Sequence, residues 1–282
     1  MRRLAFLAGL AVLAAGCSQA PKSESTAARQ RAAIEANRKG ETYVRHGELE
    51  NAARSYREAL RLSQSLEDAE GIAANAVNLS IVRQRQGRFA DARASLAAVL
   101  EQPNLRFSAA RLAEVSLRQA VLDFDERRFE AAQRWVENAS NHCAPPCALS
   151  GAIHNVRAQL ALQAGQSDDA AASARAARDA SRAAGDRAEL ANALRLLGLT
   201  ALRRGDIVDA RAHLEQALVL DREIGAPRKI ILDLLALGRA AALGGEGESA
   251  RAYYARALAV SEADRDSAGA AEARALLDTT LP

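Results

Sequence analysis

Aromatic residues are scarce: five Phe, four Tyr and one Trp make up 4% of the 282-residue chain, and there are only six prolines. Strands draw on aromatic and β-branched residues, so a sheet-based fold is excluded. No long hydrophobic run is present either. The longest, Leu4 to Gly16, has 13 residues, short of the roughly 20 that a membrane-crossing helix needs. A charge excess is also missing, with 38 Lys and Arg against 35 Asp and Glu. If Arg2 and Arg3 are removed with a leader, 36 basic residues face 35 acidic ones, and that balance is no signature of nucleic-acid binding. Catalytic motifs are absent too: the chain has no HExxH, GxSxG, P-loop or dinucleotide fingerprint. What is abundant is alanine, 68 residues. With Leu, Arg and Glu it specifies helices whose contacts are made by small side chains.

The chain begins Met1-Arg2-Arg3, continues into the apolar run and then reaches Cys17. A basic start followed by a short apolar stretch is the pattern of a secretory signal. The segment Leu13-Ala14-Ala15-Gly16-Cys17 resembles a bacterial lipobox, with Ala14 where that family more often has leucine. The resemblance implies a signal peptide over residues 1–16, cleavage before Cys17 and lipidation of its sulfur. The alternative is an ordinary signal peptide with an incidental cysteine. Ser18, rather than aspartate, after the cysteine implies the outer membrane, with the protein facing the periplasm. Two or three acyl chains anchor a protein stably. Residues 17–27 then form the lipidated cysteine and a polar tether of about 15–20 Å reach.

A phrase recurs behind this segment. A turn residue is followed five places on by alanine, at Gly47, Gly87, Arg127, Gly165, Gly205 and Gly245, spaced 40, 40, 38, 40 and 40 residues apart. An apolar pattern of helical period precedes each phrase, so one unit is helix A, a tight turn and helix B. Glycine can take the left-handed conformation that ends helix A; Arg127 breaks that rule. Gly71, Gly185, Gly225, Pro103 and Pro227 mark the connection from B to the next A helix. The small residues five places on, Ala52, Ala92, Ala132, Ala170, Ala210 and Ala250, mark close crossings of A and B. Tyr56, Leu96, Val136, Leu214 and Tyr254, four places later, should fill the space between units.

This pattern resembles the tetratricopeptide repeat in a long form of about forty residues, with Gly40, Ser80, Ala120, Gly198 and Gly238 as the small residues of helix A. The resemblance implies an all-α, right-handed superhelical solenoid: six helix-turn-helix units over residues 28–262 and a closing helix over 263–282. Arrays of this kind stack each unit only on its neighbours and present helix A along a concave groove. The family register places Asn37, Asn78, Arg118, Phe124, Asn155, Gln159, Arg195, Leu199 and Arg239 on that groove. Asn78 and Arg118 coincide with two residues of the subfamily that grips carboxylate ends of chaperones. Glu41 and Glu114 stand where that clamp needs an asparagine and a lysine, so the clamp is rejected.

The implied function is a lipid-anchored scaffold of the bacterial envelope that holds another protein or peptide segment, with the membrane reached through its lipid and no nucleic acid, metal or cofactor involved. The alternative is a chaperone-like or ligand-binding module for unfolded chains or glycans. An enzyme is not expected. His46, His142, His154 and His213 fall in four different units. Cys143 and Cys147, four apart in an exported protein, read first as a disulfide; free thiols or a site with His142 are the other readings.

Overall fold

A computed structural model of the chain describes residues 25–279 apart from residue 103. The lipobox, Cys17 and most of the tether lie outside the described residues. Among the described residues thirteen helices follow one another: α1 (Thr26–Arg45), α2 (Leu49–Ser65), α3 (Ala69–Arg85), α4 (Phe89–Leu100), α5 (Ala109–Asp125), α6 (Phe129–His142), α7 (Ser150–Gln163), α8 (Ser167–Ala184), α9 (Arg187–Arg204), α10 (Ile207–Ile224), α11 (Pro227–Leu243), α12 (Gly247–Ala263) and α13 (Ser267–Thr279). Odd-numbered helices to α11 are the A helices and even-numbered ones the B helices; α13 closes the stack against α12.

Each A–B turn is built the same way. Gly87 takes φ +73°, and its neighbour Arg88 donates its backbone N–H to Arg83 O at 2.9 Å, which ties the turn to the end of α3. Arg127 adopts the same left-handed state at φ 59° without being glycine. Its backbone still bonds Phe124 O at 2.9 Å, and Arg128 bonds Asp123 O at 2.8 Å. The chain therefore keeps the turn at Arg127 in spite of the Cβ penalty. Gly185 and Gly225 end α8 and α10 in the left-handed region, while Pro227 opens α11. Gly71 departs from the expected role: it lies inside α3, where an added Cβ would come within 2.6 Å of Ser63 Oγ. It allows a close approach and does not stop a helix.

The core follows the repeat. All six pivot alanines are completely buried, as are Leu96, Val136 and Leu214. The glycines of the A helices explain how the large side chains fit: a Cβ on Gly40 would lie 2.6 Å from the Tyr56 ring, and one on Gly238 only 2.3 Å from that of Tyr254. Each ring thus lies against bare backbone. Burying one such side chain stabilises by about 1.5–3 kcal/mol. The fourth unit replaces both partners by alanine, Ala158 and Ala174, both fully buried. They form a small cluster with Leu196 and Leu197 of α9.

Candidate functional site

The A helices α5, α7, α9 and α11, from four successive units, converge on one open cleft of about 470 Å3. Phe124, Leu162, Leu196, Leu199, Leu202 and Leu243 give it an apolar lining, and Gln159, Gln163, Arg203 and Arg239 complete it. Phe124 is held by an edge-to-face contact with Phe129, centroids 5.6 Å apart. Leu243 is 66% exposed, so the cleft carries uncovered apolar surface. Arg239 forms an ion pair with Glu272 of α13, both about half exposed.

Four of the expected groove residues, Phe124, Gln159, Leu199 and Arg239, meet in this cleft. Asn37 lies elsewhere, in a cleft of about 350 Å3 at the first unit, where its Nδ2 donates to Asn75 Oδ1 at 2.7 Å. Asn78 is half-buried on α3 and lines neither cleft. The remaining three correct the expectation. Arg118, Asn155 and Arg195 are 9%, 2% and 6% exposed, and each is used inside the array. Asn155 Nδ2 donates to the backbone oxygen and Oε2 of Glu189 at 2.9 and 2.7 Å. The physical reason is that the A-helix position facing the groove is also where consecutive A helices touch. A polar side chain there can bond the next unit and leave solvent.

The two arginines do this differently. Arg118 donates from Nε and Nη2 to Ser80 Oγ and O, both at 3.1 Å, and from Nη2 to Gln84. Burial holds its pKa down at about 10, opposed by the charge of Asp125. Arg195 donates from Nε to Asp233 Oδ1 at 2.6 Å, from Nη1 to Asn192 Oδ1 at 2.9 Å and from Nη2 to Asp221. Asp233 is fully buried. Burial, opposed by Arg195 and reinforced by Asp221, pushes its carboxyl up to about 7. Burial also lowers the Lys229 ammonium, with Arg195 adding to that effect and Glu189, Asp221 and Asp233 opposing it.

Leu162, Gln163, Leu196, Arg203 and Leu243 escaped the sequence reading. A usable signal existed: Gln163, Arg203 and Leu243 occupy one repeat position at 40-residue intervals, four places beyond Gln159, Leu199 and Arg239.

Between α6 and α7 the structure joins Cys143 to Cys147, Cα atoms 5.4 Å apart, within the usual disulfide span. The bridge lies in the shortened connection, with Cys143 packed on the core of α5, α6 and α7. Among the described residues no group of His, Cys, Asp and Glu is arranged to hold a metal ion. Among them, too, no helix is long and apolar enough to cross a membrane.

Neither a family model nor a curated protein matches the sequence. Solved structures do match the fold. One is a signal transduction ATPase with a tetratricopeptide repeat sensor from Pyrococcus horikoshii, 16% identical, TM-score 0.64, over 92% of this chain and 41% of that one. This chain thus spans about two fifths of that protein's length. A Rap protein complexed with competence and sporulation factor is 14% identical with TM-score 0.65, over 89% and 71% of the two chains. PilF of Pseudomonas aeruginosa is 18% identical with TM-score 0.55, over 88% and 98%. At these identities the likeness is one of fold, and the chain has the all-helical, tetratricopeptide-like solenoid architecture of these neighbours.

Proposed function

We propose that the protein is a binding scaffold, without chemistry of its own, that holds a segment of a partner protein in the cleft lined by Phe124, Leu199, Leu202 and Leu243. The observation that carries this reading is the convergence of four A helices on uncovered apolar side chains beside Arg203 and Arg239. Function resides in such a surface, because the fold alone prescribes none. Apolar anchors ringed by a few polar groups are what a bound segment needs for affinity and orientation. The Rap protein, whose fold this chain resembles, is complexed with competence and sporulation factor, and that supports a fold used to hold a partner.

The same proposal places the protein on the periplasmic face of the outer membrane, held by acyl chains on Cys17 and acting in envelope assembly. The Met1–Cys17 segment supports this, and Cys17→Ser tests it. The substituted protein should leave the membrane fraction, and persistence there after a high-salt wash would refute the anchor. For the cleft, a photo-crosslinking side chain at residue 202 should capture one defined partner in intact cells. The same probe at Arg251, exposed on α12, should not. Leu199→Glu with Arg239→Glu should abolish the capture while helical circular dichroism is kept. Equal capture from both positions moves the binding surface elsewhere, and a smear of many clients favours the chaperone-like reading.

A further inference from the structure

On the outer face, two consecutive clefts run along the same pair of B helices, α8 and α10, with α9 beneath them. The first, about 210 Å3, is lined by Arg175 and Arg178 of α8, Thr200 of α9, and Asp209 and His213 of α10. The second, about 560 Å3, is lined by Arg182, by Leu190 and Leu194 of α9, and by Gln216 and Val219 of α10. The groove residues Phe124, Leu199 and Arg239 line neither cleft.

Three features of this furrow are left unused by the array. Arg175, Arg178 and Arg182 repeat at i, i+3 and i+7, which puts them on one face of α8. Among the described residues only the side chain of Arg178 is bonded, to its neighbour Asp179 at 2.8 Å, and the charge of Asp179 also reaches Arg182. Arg175 makes no ion pair or side-chain hydrogen bond among the described residues. Second, Val219 is 52% exposed in a cleft that already contains Leu190 and Leu194. Third, His213 Nδ1, which lines the first cleft, is buried without a hydrogen-bond partner among the described residues. The α8 wall is low because alanine predominates along it, from Ala170 to Ala184, so another helix could approach closely. The α10 wall is different: Asp206, Asp209 and Glu215 line it. The furrow is therefore basic along α8 and acidic along α10; its floor is apolar in the second cleft, at Leu190 and Leu194, and carries Thr200 and Arg204 in the first.

We propose that this furrow docks a second partner segment, an amphipathic helix whose apolar stripe rests on Leu190, Leu194 and Val219 and whose acidic flank faces Arg175, Arg178 and Arg182. Charge complementarity with the α8 wall fixes both the identity of the flank and the direction in which the helix lies. The acidic α10 wall rejects a helix that carries acid on both flanks, and that repulsion provides specificity. The protein would then engage two segments at once, one inside the groove and one outside it.

The test uses the whole protein and a synthetic 18-residue helix with a leucine stripe and glutamates along one flank only, followed by fluorescence anisotropy. Saturable binding is expected, weakening as salt rises. It should fall at least tenfold in Arg175→Glu/Arg182→Glu and in Val219→Asp. Arg175→Lys/Arg182→Lys should retain most of it, and Leu199→Glu/Arg239→Glu should leave it unchanged. Circular dichroism of each variant guards against unfolding, and loss of cleft binding alone would bear on the concave groove without touching this furrow. Four results would overturn the inference: equal binding of a scrambled peptide of the same composition, no saturable binding, self-association of the protein abolished by Val219→Asp, or arginine-dependent retention by phosphatidylglycerol vesicles.

Discussion

Two buried arginines, Arg118 in the third unit and Arg195 in the fifth, tie neighbouring units together with opposite chemistry. Arg118 reaches back to Ser80 and Gln84, and all of its bonds end on neutral oxygens. Arg195 reaches forward to Asp221 and Asp233, two carboxylates that burial leaves without solvent. The difference begins in the repeat. Where the fifth unit has Asp221, the same repeat position of the last unit has the fully buried Ser261, and that of the fourth unit has Ser181 at 1% exposure. A serine there needs no counter-charge. An aspartate does, and Arg195 and Lys229 supply it. The lesson is that one substitution in a repeat creates a demand which the neighbouring units must meet together.

The largest expected effect comes from removing one arm of this comparison. Arg195→Leu leaves two carboxylates buried together and should cost about 3–5 kcal/mol, because an uncompensated buried charge is expensive. Arg118→Leu removes bonds to neutral groups and should cost about 1–2 kcal/mol. Urea unfolding of both variants measures the gap, and equal losses would dissolve the distinction.

The pH profile sharpens it. The folded pKa of Asp233 is raised from 3.8 to about 7. A raised carboxyl contributes stability that is fully present below the unfolded pKa and is lost as pH rises through the folded one. Stability should therefore fall by about 2 kcal/mol between pH 5 and pH 8, and Asp233→Asn should flatten that slope. A slope unchanged in the variant would assign it to other groups. Arg118 contributes nothing in this window, since its pKa of about 10 lies above it.

Two smaller tests probe the backbone on either side. Gly238→Ala gains about 1 kcal/mol of helix propensity, but its Cβ would lie 2.3 Å from the Tyr254 ring. Overpacking costs about 1–3 kcal/mol, so a net loss near 1 kcal/mol is expected in thermal melts. Arg127→Gly relieves a left-handed arginine at φ 59° and should raise stability by about 0.5–1 kcal/mol. A loss there would mean that the Arg127 side chain contributes something the turn itself does not need.

Much of the solenoid was legible from the residues alone. Period, turn positions and pivot alanines are local properties, since a helix reversal every forty residues demands small side chains at the crossing and a left-handed turn before it. Arg127 is the instructive exception: spacing marked it as a turn, and the backbone bonds to Phe124 and Asp123 hold it there against its preference. Within the cleft, Phe124, Gln159, Leu199 and Arg239 followed from register, because residues three and four apart on a helix share a face.

By itself the amino-acid sequence determined the helices, their pairing into units and the face of each helix that looks inward, since all three depend on spacing along one chain. Only the tertiary structure decided which inward-facing polar groups remain free. Asn155, Arg118 and Arg195 lie on the expected face, yet each is used up by a residue 34 to 38 places away. Periodicity names a face but not the distance to whatever opposes it, and the curvature with which four A helices converge set that distance.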